Sequence, residues 1–547
     1  MGRLNFYTTE TNYNTSKNSF DYPTVAYVDE SEEVKWMTLQ EKYAKKYLTF
    51  KALESGTFSL YIPTLVDSTY MTSVSYSVDN GTTWVTTTVD GTEQTITTPT
   101  INTGDKVLWK GVGTSLSTDG RRARSSMFSS TGEYNVSGNV MSLLYGDNFD
   151  DKVAFTNGSS CNYAYLFYSN TKLKSAKYLA LPATTLTTKC YADMFDNCTS
   201  LTETPALPAT TMADECYGSM FNYCTSLKKT PVLPATTMAD DCYSRMFANC
   251  TALVVAPELP AMTMSPFCYY FMFIGCSSLT TTPDLPATTL AERCYHYMFS
   301  ECTSLTTVPS VLPATTLAQG CYRGLFKGCT SLESVSSNIM SAVTTTADAS
   351  CLFMFANTGL RVAPNLPATN LGTQCYQQMF ENCTSLTTPP SILPAETLAE
   401  SCYVSMFNGC TSLTTAPTLP ATSLANTCYY AMFSGCSSLT TPPALPATTI
   451  ADYCYYYMFE NCTSLTIAPV LPATTLAQYC YQQMFQNCTR LNYIKAMFTT
   501  APSTSYTNNW VKNVAATGTF VKNSAAQWDV SGANGIPSGW TVQTASE

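Results

Sequence analysis

The sequence predicts an α/β solenoid, a leucine-rich-repeat type array of about 12–13 units of 26 residues, preceded by a small all-β domain. Three observations carry the prediction. A cysteine column, Cys190, Cys216, Cys242, Cys268, Cys294, Cys321, Cys351, Cys375, Cys402, Cys428, Cys454 and Cys480, recurs mostly at 26-residue steps. A second column, from Cys198 to Cys488, stands eight residues after the first and skips the unit of Cys351. Apolar residues make up 45% of the chain but charged residues only 12%, about half of the roughly 25% usual in soluble domains. A fixed period of roughly 20–29 residues marks arrays in which no unit buries its own apolar face and its neighbours complete the core.

Residues 1–46 are polar, with an acidic run at Asp29, Glu30, Glu32 and Glu33 and a short helix expected over Thr38–Tyr47. They hold too few apolar residues for a core. A segment of this kind ahead of a folded module often orders on a partner, so it is expected to dock the chain to a larger assembly. Residues 47–146 read as a small β-sandwich-like domain. Its strands are expected at Tyr47–Leu53, Thr57–Ile62, Thr72–Val78, Thr83–Thr88, Thr95–Thr98 and Lys106–Lys110, with Asp79-Asn80-Gly81 as a hairpin turn.

Residues 147–500 are the array. In the unit Leu285–Thr307, Pro286 ends a strand because it has no N–H to give. Thr289 and Glu292 have capping-box spacing. Leu290, Cys294, Met298 and Cys302 then recur every four residues, which reads as the apolar stripe of a short helix. Asn or Gly before the second Cys, as at Asn197, Gly275 and Asn461, suits a left-handed helix end. Around 330–360 the spacing falters, which predicts a bend or a protruding loop. Residues 501–547, with Trp510, Trp528 and Trp540, read as a cap over the last unit.

Several function classes fall away. A net charge of −10 is the wrong sign for nucleic acid. His296 is the single histidine, and no CxxC occurs, so His triads and zinc sites are not expected. Nothing suggests a cofactor, and no acid/base constellation supports a polysaccharide-degrading enzyme; the protein is expected to be non-enzymatic. No run approaches the roughly 18 apolar residues of a membrane span. The polar start, Met1 to Thr8, lacks the apolar region of a signal peptide, so the chain is expected to stay in the cytoplasm unless a route other than Sec releases it. Two Cys eight residues apart on a helix would lie about 12 Å apart, too far for a disulfide. Between neighbouring units only the second column, near the strands, could come close enough to bond; the thiols are read as free, buried and apolar. Asp147, Asp150 and Asp151 read as a solvated loop rather than a calcium site.

The unit LPATTLA-x-x-CY-x-x-MF-x-[NG]-C-[TS]-SLT-x-x-P resembles the BspA-like leucine-rich repeats of gut Bacteroidetes surface proteins and of the phages that infect them. Gly138–Asp147 resembles the lead-in to such arrays and Gly535–Val542 their closing segment. The resemblance implies adhesion and recognition. The chain departs from secreted members in its N-terminus, which favours the phage side: a virion surface protein such as a fibre, decoration or host-contact protein. The alternative is a bacterial cell-surface adhesin. Expected partners are the virion or another large assembly, through the N-terminal segment, and a host surface glycan or protein. A homo-oligomer is compatible with the sequence.

The two positions after each Cys-Tyr pair should face solvent. They are usually small or polar, but they are aromatic at Tyr270, Phe271, Tyr297, Tyr430, Tyr456 and Tyr457, in two pairs of adjacent units. Grouped exposed rings usually mean contact, so these six are the candidate binding residues.

Overall fold

The computed structural model describes residues 43–64, 70–117, 119–155 and 160–545, together with the backbone of 24–28 and 34–38. It forms two compact units, residues 1–235 and 236–547. Most of the expected docking segment, including its acidic run, lies outside the described residues. Within it, β1 (Thr24–Val28) and β2 (Val34–Thr38) make an antiparallel hairpin. Of the helix expected over Thr38–Tyr47, residues 39–42 lie outside the described residues; Tyr43 and Ala44 are helical, while Thr38 ends β2 and Tyr47 bridges to Asn139.

The β domain builds two sheets from strands that alternate inward and outward side chains. They are β3 (Leu48–Ala52), β4 (Phe58–Ile62), β5 (Met71–Ser77), β6 (Val85–Thr88), β7 (Gln94–Thr97), β8 (Lys106–Gly113), β9 (Met127–Ser130) and β10 (Tyr134–Asn139). The six expected strands are all present; β9 and β10 lie beyond them. One sheet runs β11 (Leu173–Ala180)-β10-β3-β8-β5-β6 and the other β7-β4-β9. Between them Phe50 meets Phe128 at 4.7 Å, Trp109 meets Phe128 at 5.0 Å and Phe58 meets Tyr134 at 5.1 Å, ring centre to ring centre. The outermost strand, β11 (Leu173–Ala180), belongs to the first repeat and joins β10 in parallel. The core also runs on: Phe128 stacks on Phe167 at 5.7 Å, and Phe167 on Phe195 at 5.2 Å.

The repeats contain no α-helix among the described residues, which corrects the α half of the expected α/β class. The amides instead alternate between two partners. Cys190, Ala192, Met194, Asp196 and Cys198 each donate three residues back within their own unit. Lys189, Tyr191, Asp193, Phe195 and Asn197 each donate to a carbonyl of the following unit. Every fourth residue is left-handed, with φ of 57°, 54° and 59° at Lys189, Asp193 and Asn197. The second unit repeats the scheme at Asp241, Tyr243, Arg245, Phe247 and Asn249. The result is a staircase of overlapping turns with a pitch of four residues. That pitch lines up Cys190, Met194 and Cys198 inside, with Tyr191 and Phe195 beside them, all buried. A helix would spend every amide internally; here half of them stitch neighbouring units together. A left-handed non-Gly residue costs about 1–2 kcal/mol, so the form holds only where the neighbour accepts its bonds.

Opposite the staircase the expected strands shrink to single parallel bridges, such as Thr281 with Thr307 and Thr263 with Thr289. Inside, like stacks on like. Tyr243, Tyr269, Tyr295 and Tyr322 follow one another at 5.7–5.9 Å, and Phe273 lies on Phe299 at 5.4 Å with planes 1° apart. All 24 cysteines are free and buried. Second-column thiols donate to the Phe carbonyl of the preceding unit, as Cys276 does to Phe247 at 3.1 Å and Cys302 to Phe273 at 3.2 Å. Burial pushes the thiols of Cys276 and Cys294 up to about 12.

The irregular unit keeps the ladder but shifts the register. Tyr295 donates to Cys321, yet Tyr322 donates to Ser350, and it is Cys351 that donates to Cys375. Ser350 therefore holds the first-cysteine place and Cys351 the tyrosine place. Thr358 fills the second-cysteine place, donating to the Phe355 carbonyl at 2.8 Å. The extra residues do not protrude: Ile339, Met340 and Val343 are fully buried. At the far end β12 (Tyr493–Ala496), β13 (Thr519–Lys522) and β14 (Thr541–Thr544) form a parallel sheet. Trp510, Trp528 and Trp540 are buried there, each donating its indole N–H to a carbonyl.

Three outcomes follow. Gln374 is exposed and left-handed, with φ of 57°. Gln374→Gly should leave thermal stability unchanged or raise it by up to about 1 kcal/mol, whereas in a helix the same change would lower it by about 1 kcal/mol. Thiol labelling of the native protein should be slow and should approach 24 groups only after denaturation. Cys302→Ala should cost about 1–2 kcal/mol in a denaturant melt, through the small cavity it leaves.

Candidate functional site: two aromatic surfaces on the repeats

The staircase decides which side chains point outward. Numbered from the first-cysteine place, positions −1, +2 and +3 emerge side by side, and −1 and +3 are left-handed. The six rings expected from sequence gather as two groups of three, all in the second unit. None is fully exposed; each is half-buried because it packs on its neighbours.

In the first group Tyr270 meets Phe271 edge-on at 4.3 Å, and Phe271 stacks on Tyr297 at 5.3 Å. His296 lies within it, stacked on Tyr270 at 4.9 Å and edge-on to Tyr297 at 4.7 Å. Gly324 occupies the +3 place after Tyr297. Any Cβ there would collide with the Tyr297 ring, and its φ of 61° suits glycine. The structure adds residues that sequence reasoning missed. Phe267 meets Tyr270 at 5.6 Å. The Arg245 guanidinium lies 5.2 Å from the Tyr270 ring and 5.3 Å from Phe271; Arg293 lies 5.5 Å from Phe267. Lys327 lies 4.9 Å from Phe353 and 5.7 Å from Tyr297, with Arg323 6.0 Å from Phe353. The available signal was periodic: Phe267 and Phe271 are four residues apart, as are Arg293 and Tyr297, which is the pitch of the inward cysteine and methionine columns.

In the second group Tyr430 stacks on Tyr456 at 5.1 Å, and Tyr456 meets Tyr457 edge-on at 4.2 Å. Tyr453 and Tyr479, also missed from sequence, extend it at 4.9 Å from each other. Here the polar neighbours are amides and a carboxylate. The Tyr456 hydroxyl donates to Gln483 at 3.5 Å, and Gln486 donates to Glu460 at 2.9 Å. Burial raises the Glu460 carboxyl above its usual range.

Other polar features are satisfied locally. Asp147 takes Lys110 at 2.8 Å and the Tyr47 hydroxyl at 2.6 Å, so its oxygens serve an ion pair. Those bonds hold its carboxyl below the usual range; burial, and then Asp147, pushes the Tyr47 phenol up to about 12. Among the described residues no group of three His, Cys, Asp or Glu could hold a metal ion. His296 is 6% exposed. Burial first, then the charges of Arg323 and Arg293, pulls its pKa from 6.5 down to about 4.

That depression has a sign. Between pH 6.5 and 4 the unfolded chain takes up the proton that folded His296 refuses, so this unit loses stability as pH falls through that window and loses nothing above it. His296→Phe should flatten this part of the profile, read as the difference between wild-type and variant melting temperatures at pH 7 and pH 4.5. An unchanged difference would show that the ring is not held neutral.

The description of one protein family fits this architecture. The model for the BspA type leucine rich repeat region matches residues 151–256, 269–387 and 373–512, more than half of the chain. Among solved structures, a leucine-rich repeat protein from Bacteroides ovatus ATCC 8483 is 18% identical, with a TM-score of 0.40 over 76% of this chain and 96% of that one. A leucine-rich repeat protein from Eubacterium ventriosum ATCC 27560 is 16% identical, with a TM-score of 0.35 over 66% of this chain and 89% of that one. No curated protein sequence matches the chain. With its cysteine columns and repeats matched over that span, the chain belongs to the BspA-type leucine-rich repeat family.

Proposed function

We propose that the protein is a non-catalytic recognition protein whose two aromatic surfaces contact a glycan or protein on a host cell. The observation that carries this reading is the placement of bulky rings on left-handed backbone. Phe267, Phe271, Tyr297, Phe353, Tyr453, Tyr457 and Tyr479 all have φ between 51° and 60°. Gly, Asn or Asp would hold the same turns more easily, and other units use such residues at Asp193 and Gly324. Tyr165 and Tyr223 in the first unit are left-handed too, but in the second unit such rings gather in two places on an outer surface, which fits a functional demand, and aromatic groups dominate binding hot spots.

The carrier we propose is a virion, with residues 1–46 docking to it. The 24 free, buried thiols support assembly in a reducing cytoplasm; a bacterial adhesin passing through an oxidising compartment would have to keep all of them unpaired while unfolded. Changing Tyr270, Phe271, Tyr297, Tyr430, Tyr456 and Tyr457 to Ser should reduce host-cell binding by about tenfold or more while the circular dichroism spectrum stays native. Unchanged binding would place recognition elsewhere. Immunogold labelling of purified phage against uninfected cells separates the virion reading from the cell-surface one.

A further inference from the structure

We infer that the surface around His296 takes an acidic glycan, a saccharide chain carrying anionic oxygen groups. The inference rests on the recognition reading above and specifies its ligand. The chain carries a net charge of −10, yet Arg245, Arg293, Arg323 and Lys327 converge on the rings of this one surface. Among the described residues only Arg293 of these four has a carboxylate within ion-pair distance, Glu292 at 3.7 Å. The rings do not neutralise the others. A guanidinium laid on an aromatic face leaves its N–H edges free, and those edges match a carboxylate or sulfate in bidentate fashion.

A second, independent observation lies beneath the rings. The Arg323 Nε is buried and has no hydrogen-bond partner. An Arg Nε–H can only donate, so the cluster holds an unspent donor just inside the surface as well as unspent charge on it. The rings supply apolar faces for the C–H face of a sugar, and the cations supply partners for its acidic substituents. The tyrosine surface at 430–479 has the opposite character, with Gln483, Gln486 and Glu460 around its rings. It would repel an acidic chain, which makes it an internal control.

The test uses the full chain against polygalacturonate, which carries carboxylates, and chondroitin sulfate, which also carries sulfates, with dextran as a neutral saccharide and a single-stranded DNA oligonucleotide as a plain polyanion. Wild type should bind at least one acidic polysaccharide more tightly than dextran, and the affinity should fall as salt rises. The two acidic probes separate carboxylate from sulfate recognition. The variant R245Q/R293Q/R323Q/K327Q should bind it about tenfold more weakly or worse, while Tyr430, Tyr456 and Tyr457 changed to Ser should bind it as wild type does. The milder pair R245Q/K327Q, which leaves the buried Arg323 in place, should show a smaller loss in the same direction and guards against misfolding of the quadruple variant. Equal binding by both charge variants, or binding of DNA as tight as that of the saccharides, would overturn the inference. Binding to dextran or host cells but to neither acidic polysaccharide would overturn it and leave the recognition reading standing. Binding to no saccharide and no cell would overturn both.

Discussion

The alternation of backbone amides between a unit and its successor is the constraint on which the repeats depend. Each staircase keeps half of its N–H groups for its own turns and gives the other half away. A unit alone would leave those donors unpaired around a backbone that is left-handed at every fourth residue, a combination that water does not rescue once the core is dry. Stacking is therefore what makes the local conformation possible. The identical spacing of Tyr on Tyr and Phe on Phe follows from the same bonds, because a backbone ladder in constant register sets side chains of like position one above the other.

The same geometry explains the choice of cysteine. The inward places need a small apolar group, and in the second column they also face a carbonyl of the preceding unit. A thiol fills the first need and makes the weak hydrogen bond of the second. Where the series changes to Thr358, a hydroxyl takes the same place and still reaches a Phe carbonyl, now in its own unit. The tyrosine stack is interrupted where Cys351 stands in a tyrosine place, while Phe326, Phe355 and Phe380 carry the phenylalanine stack through at 5.7–5.8 Å.

Much of this was legible in the sequence, for physical reasons. The period, the β strands before the array and the left-handed places held by Asn or Gly all follow from local chemistry. The staircase did not, because Leu290, Cys294, Met298 and Cys302 at four-residue steps look alike on a helix and on a turn ladder; only the destination of the amides distinguishes them. The slip at Ser350 was hidden because Cys351 looked like the marker of its column. At the candidate site, Tyr270, Phe271 and Tyr297 could be found because they follow Cys-Tyr pairs. Arg245 and Lys327 could not, since each lies over a ring of a neighbouring unit and only the stacking register brings them together.

Because the donated amides point toward the following repeat within each of the two compact units, the stacking has a direction, and the repeats that open and close the series differ in what they need. The first unit begins with carbonyls in need of donors, and the β domain supplies them: Leu116 donates to Asn162 and Phe128 to Leu166. The last unit ends with amides in need of acceptors, and the closing segment supplies those: Tyr481, Gln483 and Phe485 donate to Tyr506, Asn508 and Trp510. The two caps are thus not interchangeable. A stretch of repeats freed of its neighbours would carry unpaired amides on one side and unpaired carbonyls on the other, the head-to-tail complementarity that builds open filaments rather than closed oligomers. The β domain and the tryptophan-rich tail act as terminators as much as covers, holding the repeat number of one molecule to the number its own chain encodes.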